Sequence, residues 1–225
     1  MKAKSDKEII QFEDWCRKTI ESLKGVRRWS FKPEASEENV LEHMFKTALL
    51  VWKLLSYEML AGNPHNLSRA DILFCAITHD IGEGCTGVDH PAPTKIRQNE
   101  EDENHAFHRH VKAGLPEEIQ NFFPLPIDQD EDIDEVHKLF WKATEKLGYV
   151  YFALAELQDE EKTGFSNLRR VANFFHVAKY EKDSIMQLEK KFFSVRKLAT
   201  AIYEENERLE SAFATTNQTL PSPDR

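Results

Sequence analysis

The stretch Ile72–Glu83, ILFCAITHDIGE, places two side chains that can bind a metal at the end of an apolar run. Ser68, followed three residues later by an acidic residue, is a helix start signal, so the run Ile72–Ile77 is predicted to be helical. That helix leads directly into His79 and Asp80. Burying an imidazole and a carboxylate is costly unless a partner or a metal ion compensates. The stretch therefore predicts a buried helix that ends in a functional pair.

The segment Gly82–Lys95 has a different composition, with three glycines and two prolines. Glycine and proline are the strongest local signals for turns and loops. We therefore predict a loop directly after the His79–Asp80 pair. Loops held by a rigid scaffold often carry functional groups.

Apolar side chains elsewhere recur at helical rather than alternating spacing, so we predict an all-α protein with additional C-terminal helices. The chain has 225 residues, which favours one domain over residues 1–214, with the motifs in about 26–158. The polar segment after that domain, residues 215–225, is predicted to be a disordered tail. The predicted helices are Asp6–Leu23, Ser36–Leu60, the one opened by Ser68, Asn99–Ala113, Glu117–Phe123, Asp132–Leu157, Asn167–Tyr180 and Ile185–Phe213.

Composition and charge narrow the class of protein. Hydrophobic residues make up 40% and charged residues 31%, and neither a membrane span nor a secretion signal is visible. The three cysteines, Cys16, Cys75 and Cys85, show no zinc-binding spacing, which favours reduced thiols and a cytoplasmic location. The net charge of −9 argues against polymeric DNA or RNA as a ligand. A small anionic substrate needs only a few cationic side chains in a pocket.

A third potential ligand, His43, lies on the helix predicted before this pair. Imidazole and carboxylate together suit divalent ions such as manganese, cobalt, iron or zinc. Two long helices close in sequence can pack antiparallel and bring His43 to His79 and Asp80. A single histidine on a helix is more often a surface residue or a core residue with a partner, so the prediction depends on the three residues together.

The joint pattern resembles the HD-domain phosphohydrolases, and more closely their bacterial 5'-deoxynucleotidase branch. The resemblance is carried, over about Arg28–Leu157, by Arg28-Trp29, Glu38-Asn39-Val40-Leu41-Glu42-His43, His79-Asp80-Ile81-Gly82-Glu83, Thr86-Gly87-Val88-Asp89 and Pro91-Ala92-Pro93-Thr94-Lys95. It implies a single HD-type helical domain around one divalent metal ion (manganese, cobalt, magnesium, iron or zinc). It also implies hydrolysis of a phosphate ester by a metal-activated water, and a homodimer.

The resemblance assigns catalytic roles to two acids. Glu83 would orient or deprotonate the attacking water, although it could simply end a helix in solvent. Asp89 is the counterpart of a second catalytic acid, but Val88 stands between it and the preceding glycine. That insertion leaves His90 as an alternative to Asp89.

Substrate binding is assigned to Arg28, Trp29 and Lys95. A guanidinium suits the oxygens of a phosphate, an indole can stack on a sugar or base, and a lysine adds a point charge. Structural roles for Trp29 and Lys95 are equally compatible with their positions.

The fourth metal ligand is where this chain departs from the family. Relatives have an aspartate on a later helix, whereas the stretch Lys142–Leu147 has Glu145 at that place. Glutamate is also an oxygen ligand but is longer by about one methylene, so direct binding, binding through water and no binding all stay open.

Two other clusters are better explained without a ligand. The run Asp128–Asp132 lacks the glycine and the final glutamate of a calcium loop. His105, His108 and His110 have spacing typical of a solvated helix.

The predicted function is release of phosphate from a deoxynucleoside 5'-monophosphate, a small phosphorylated substrate. The alternatives are an HD-type hydrolase of nucleoside triphosphates or another phosphorylated metabolite, and a non-catalytic nucleotide-binding module with an altered metal site.

Overall fold

The computed structural model describes residues 6–28, 38–89, 97–120 and 134–219, and the regular structure within these ranges is helical. The all-α prediction is confirmed. No helix in these ranges is long and apolar enough to cross a membrane. The helices are α1 (Asp6–Gly25), α2 (Val40–Leu60), α3 (Arg69–Ala76), α4 (Ile81–Thr86), α5 (Arg97–Gly114), α6 (Glu117–Gln120), α7 (Glu135–Lys162), α8 (Leu168–Leu188) and α9 (Phe193–Thr219).

The chain divides into two compact units. The first comprises Met1–Pro33, Glu37–Leu49 and Ala70–Ile133, and the second comprises Glu34–Ser36, Leu50–Arg69 and Asp134–Arg225. Helix α2 contributes residues to both units. The prediction that residues 1–214 act as one domain stays a prediction.

The core of the first unit joins α1, the first part of α2, α4 and α5. Its buried side chains come from helices far apart in sequence, and α4 packs against both α1 and α5. Removal of these apolar surfaces from water stabilises the arrangement by about 25 cal/mol per Å². The core residues are Trp15, Leu23, Val26, Val40, Met44, Ile81, Phe107, Val111 and Leu115.

Helix α2 begins at Val40, so the predicted start at Ser36 is wrong. The backbone of Glu38–Val40 instead pairs with that of Val26–Arg28, as Arg28 N donates to Glu38 O at 2.7 Å and Val40 N donates to Val26 O at 3.0 Å. Asn39 caps the helix, because its Oδ1 accepts from Glu42 N at 3.0 Å while Glu42 Oε2 accepts from Asn39 N at 3.3 Å. This reciprocal pair is a capping box.

Helix α4 overlaps the segment Gly82–Lys95 that we predicted to be a loop, so that prediction is wrong for residues 82–86. Two of the glycines allow close packing of helices rather than a loop. A Cβ on Gly82 would lie 2.8 Å from Glu103 O of α5, and one on Gly84 would lie 2.9 Å from Leu23 Cδ2 of α1. Gly87 then ends α4 in the left-handed conformation, with φ of 77°.

Gly82→Ala is expected to lower the free energy of unfolding by about 1–3 kcal/mol, because the added methyl would meet backbone atoms that cannot rotate away. Urea denaturation followed by circular dichroism measures this. The control is Gly25→Ala, whose Cβ would have nothing within 4 Å and which is expected to change stability by about 0.5 kcal/mol or less. Equal stability of both variants would contradict the close approach of α4 and α5.

The second unit packs α7 against α8 and α9. Helix α8 continues to Leu188 and α9 begins at Phe193, so the predicted boundary between Tyr180 and Ile185 is wrong. The buried carboxylate of Glu58 explains where α9 begins, since its Oε1 accepts from Ser194 N at 2.7 Å in the first turn. Phe192, just before that turn, packs edge-on against Phe140 with ring centroids 5.1 Å apart.

Three other predicted boundaries shift. Helix α7 runs to Lys162 rather than Leu157, and α9 runs to Thr219 rather than Phe213. The predicted tail, residues 215–225, therefore starts too early, because α9 includes residues 215–219. Within this last part of α9 the hydroxyls of Thr215 and Thr216 donate to carbonyls one turn back, at 2.9 and 3.0 Å. Residues 121–123 of the predicted Glu117–Phe123 helix, and residues 220–225, lie outside the described residues.

Candidate metal centre

His43, His79 and Asp80 come together in the first unit, as predicted. His43 lies near the start of α2, while His79 and Asp80 lie in the turn that joins α3 to α4. Asp80 holds the N-cap position of α4. Among the histidine, cysteine and acidic side chains of the described residues, the ligand atoms of these three lie close enough together to hold one metal ion.

The separations between the three ligand atoms fit a single ion. His79 Nε2 lies 3.1 Å and His43 Nε2 lies 3.6 Å from Asp80 Oδ2, and the two Nε2 atoms are 3.4 Å apart. Ligands bound at about 2.1 Å at octahedral or tetrahedral angles lie roughly 3.0–3.4 Å from one another. Two sides of the observed triangle fall within this range and the third, at 3.6 Å, exceeds it by 0.2 Å, so the triangle is close to one face of such a coordination shell.

The hydrogen bond of His79 fixes which of its nitrogens faces the cluster. Nδ1 lies 3.0 Å from Ala76 O, and a carbonyl oxygen only accepts, so Nδ1 carries a proton. Nε2 is then the nitrogen available to a metal ion. A backbone carbonyl that orients a ligating imidazole in this way is a common feature of metal sites.

The surroundings favour the metal-binding protonation states of His43 and Asp80. Burial, together with the positive charge of Arg28, lowers the pKa of His43 well below its usual value. Burial alone would raise the pKa of Asp80, but His79 and Arg28 outweigh it and hold this pKa well below its usual range. A neutral imidazole and an ionised carboxylate are the forms that ligate metals.

Arg28 connects the ligand cluster to both predicted catalytic acids. Its Nη1 lies 3.0 Å from Asp80 Oδ2, 3.9 Å from Glu83 Oε2 and 4.0 Å from Asp89 Oδ1. All four side chains are buried. Glu83 lies on the inner face of α4 and Asp89 follows the glycine that ends this helix, so the structure brings both acids to the cluster despite the inserted Val88.

The remaining predicted site residues divide into two groups. Trp29, Lys95 and His90 lie outside the described residues, so their assignments stay predictions. Glu145 lies half-buried on α7 in the second unit, and its part in metal binding stays a prediction as well.

Thr47 is a neighbour of the site that the sequence analysis missed. Its Oγ1 lies 3.4 Å from His43 Nε2, one helical turn further along α2. The spacing of four residues could have identified it, because residues i and i+4 share one face of a helix. Thr47 is buried and places a hydroxyl oxygen beside the ligand atoms.

Comparison with known proteins gives one family match. The model of the YfbR-like 5'-deoxynucleotidase family matches residues 17–193 of the chain, a range that contains every predicted site residue. No curated protein matches the chain.

Two solved structures share the fold. An HD-domain phosphohydrolase from Listeria innocua superposes with a TM-score of 0.66 and 16% identity, over 92% of this chain and 99% of that one. The PH0347 protein from Pyrococcus horikoshii gives a TM-score of 0.52 and 18% identity, over 91% of this chain and 99% of that one. At these identities the likeness concerns the fold alone, and it agrees with the predicted HD-type architecture.

Proposed function

The chain belongs to the YfbR-like 5'-deoxynucleotidase family and is thus a metal-dependent phosphohydrolase, and we propose that its substrate is a deoxynucleoside 5'-monophosphate. The observation that carries the proposal is the cluster of His43, His79 and Asp80, with ligand atoms 3.1–3.6 Å apart. Two buried acids and one arginine surround that cluster. Acids beside a metal ion can transfer protons during hydrolysis of a phosphate ester, and an arginine can bind the phosphate oxygens.

His43, His79 and Asp80 would hold the divalent ion, and the resemblance adds Glu145 as a fourth ligand. A bound divalent ion lowers the pKa of water and polarises a phosphoryl oxygen. The identity of the ion is left open among manganese, cobalt, magnesium, iron and zinc.

Glu83 and Asp89 would then handle the two proton transfers of the reaction. The carboxylate of Glu83 accepts a proton from the attacking water as the new bond from oxygen to phosphorus forms. The bond from phosphorus to the 5'-oxygen breaks, and Asp89, in its protonated form, donates its proton to that oxygen. Glu83 then releases the proton that it took and Asp89 regains one, by exchange with solvent. The products are inorganic phosphate and a deoxynucleoside.

Arg28 would recognise the phosphate, and the resemblance adds Trp29 and Lys95. The guanidinium of Arg28 carries its charge within 3.0 Å of the ligand oxygen of Asp80, so it is the described cation nearest to the cluster. Guanidinium binds phosphate oxygens strongly because it offers paired donors.

The substrate is tested by measuring phosphate release from a nucleotide panel with added manganese, cobalt or magnesium. We expect release of inorganic phosphate from deoxynucleoside 5'-monophosphates and slower release from ribonucleotides. Release of pyrophosphate or tripolyphosphate from triphosphates would instead support a triphosphate hydrolase. Nucleotide binding without turnover in any metal would support a non-catalytic module, and either result would overturn the proposed substrate.

Glu145→Ala is expected to weaken metal retention by about tenfold or more, because one oxygen ligand is lost. Metal content after dialysis, measured by mass spectrometry, checks this. The control is Glu135→Ala, which removes an exposed carboxylate from the first turn of the same helix. If Glu145→Ala retains metal as well as the control does, Glu145 is not a ligand.

A further inference from the structure

One face of α5 carries a basic stripe that the metal centre does not use. Counted from His105, the residues at positions three, four and seven further along α5 are His108, Arg109 and Lys112. These offsets place them on a single face of a helix. His105, Arg109 and Lys112 are exposed and His108 is half-buried.

These four side chains line a concave surface rather than a flat one. Together with Thr86 and Asp102 they line a solvent-open cavity of about 500 Å³, which we call the α5 groove. Small-molecule sites have volumes of roughly 300–1,000 Å³. A neighbouring cavity of about 390 Å³ shares Arg109 and adds Lys18 and His110. Arg109 therefore lines both cavities.

The charges of the α5 groove favour an anion. Within the described ranges, neither Arg109 nor Lys112 forms an ion pair, and Arg109 Nε only donates to His105 O of its own helix, at 3.3 Å. The one carboxylate in the lining, Asp102, accepts from Gln98 Nε2 at 3.0 Å. A local excess of positive charge is notable in a chain whose net charge is −9, and it attracts small anions.

A metal ion does not explain this stripe. Asp102, His105 and His108 are ligand types, but among the described residues the ligand atoms that converge are those of His43, His79 and Asp80. Two permanent cations beside the histidines would also repel a metal ion. Guanidinium, ammonium and imidazole groups together suit the oxygens of a phosphate.

We propose that the α5 groove binds a small phosphorylated anion, at a place separate from the metal centre. Arg109 and Lys112 supply the permanent charge, and His105 and His108 supply ring N–H donors. Thr86, at the end of α4, also lines the groove, and its hydroxyl donates to Glu83 O of its own helix at 3.1 Å. The ligand class is a phosphate or polyphosphate group, either free or on a metabolite.

The test is titration of the full-length protein with tripolyphosphate and with inorganic phosphate. Chelator is present, so that metal-bound anion does not contribute. Calorimetry gives the affinity, and the proton signals of the His105 and His108 rings locate the site. We expect Arg109→Ala combined with Lys112→Ala to weaken tripolyphosphate binding by about tenfold or more, since two charge-assisted contacts are lost.

The matched control is Arg97→Ala combined with Lys24→Ala, which removes the same charge from exposed positions outside the groove. We expect this control to bind tripolyphosphate within about twofold of the unmodified protein, because general attraction changes little. All four substituted side chains are exposed, so folding is expected to be preserved, and circular dichroism checks it.

Three outcomes would overturn the proposal. In the first, the groove variant and the control bind tripolyphosphate equally. In the second, an acidic peptide shifts the His105 and His108 signals while tripolyphosphate does not, which would make the groove a protein-docking surface. In the third, Asp80→Asn loses tripolyphosphate binding while the groove variant keeps it, which would place the anion at the metal centre. None of these readouts depends on turnover.

Discussion

Asp80→Asn is expected to abolish both metal retention and phosphate release. Asp80 Oδ2 is the atom shared by the two close contacts to His79 Nε2 and Arg28 Nη1, at 3.1 and 3.0 Å. The amide keeps the shape of the side chain but removes the negative charge that a divalent ion needs. Several kcal/mol of charge stabilisation is lost, which corresponds to a fall in turnover of about a thousandfold or more.

Metal content by mass spectrometry and phosphate release at saturating manganese check this prediction. Asp14→Asn is the control, because Asp14 is a partly exposed aspartate of the same unit that pairs with Arg17 and Lys18, and it is expected to retain both properties. Thermal unfolding is measured alongside, since a buried arginine that loses its partner can destabilise the fold. A folded Asp80→Asn protein with normal metal content would exclude Asp80 as a ligand.

Glu83→Gln is expected to keep the metal and lose turnover. Glu83 Oε2 lies 3.9 Å from Arg28 Nη1, beside the cluster, and Glu83 is not one of the three converging ligands. The amide cannot accept the proton of the attacking water. General base catalysis contributes about 10²–10⁴-fold, and phosphate release is expected to fall by that factor.

The same two measurements separate a proton-transfer role from a ligand role. Loss of metal in Glu83→Gln would make Glu83 a ligand, and unchanged turnover would leave it a structural residue. Glu21→Gln provides the control, because Glu21 is an exposed glutamate on α1 that pairs with Arg17. It is expected to match the unmodified protein in both measurements.

Local patterns in the sequence were sufficient for the helical class. The periodic apolar positions of α1 and the helix opened after Ser68 depend on contacts within a few residues, which the sequence displays directly. Trp15 and Leu23, for example, recur at helical spacing on α1 and are both buried in the first unit.

The errors lie where a distant partner decides the local structure. Composition favoured a loop from Gly82 onward, but Gly82 and Gly84 are small because α5 and α1 approach α4 there. Likewise the start of α2 depends on the pairing of Arg27 with Asn39. The start of α9 depends on Glu58, whose carboxylate accepts from Ser194 N although the two residues are 136 positions apart.

The sequence by itself determined an all-α chain with His43, His79 and Asp80 as its candidate metal ligands, because these follow from residue type, short spacing and resemblance. Only the tertiary structure decided that three atoms, on residues up to 37 positions apart, lie within 3.6 Å of one another. It also decided that Arg28, Glu83 and Asp89 share their surroundings, and that α5 presents its basic residues on a concave surface. Such arrangements depend on how helices pack, and packing depends on shape and burial across the whole unit rather than on neighbouring residues.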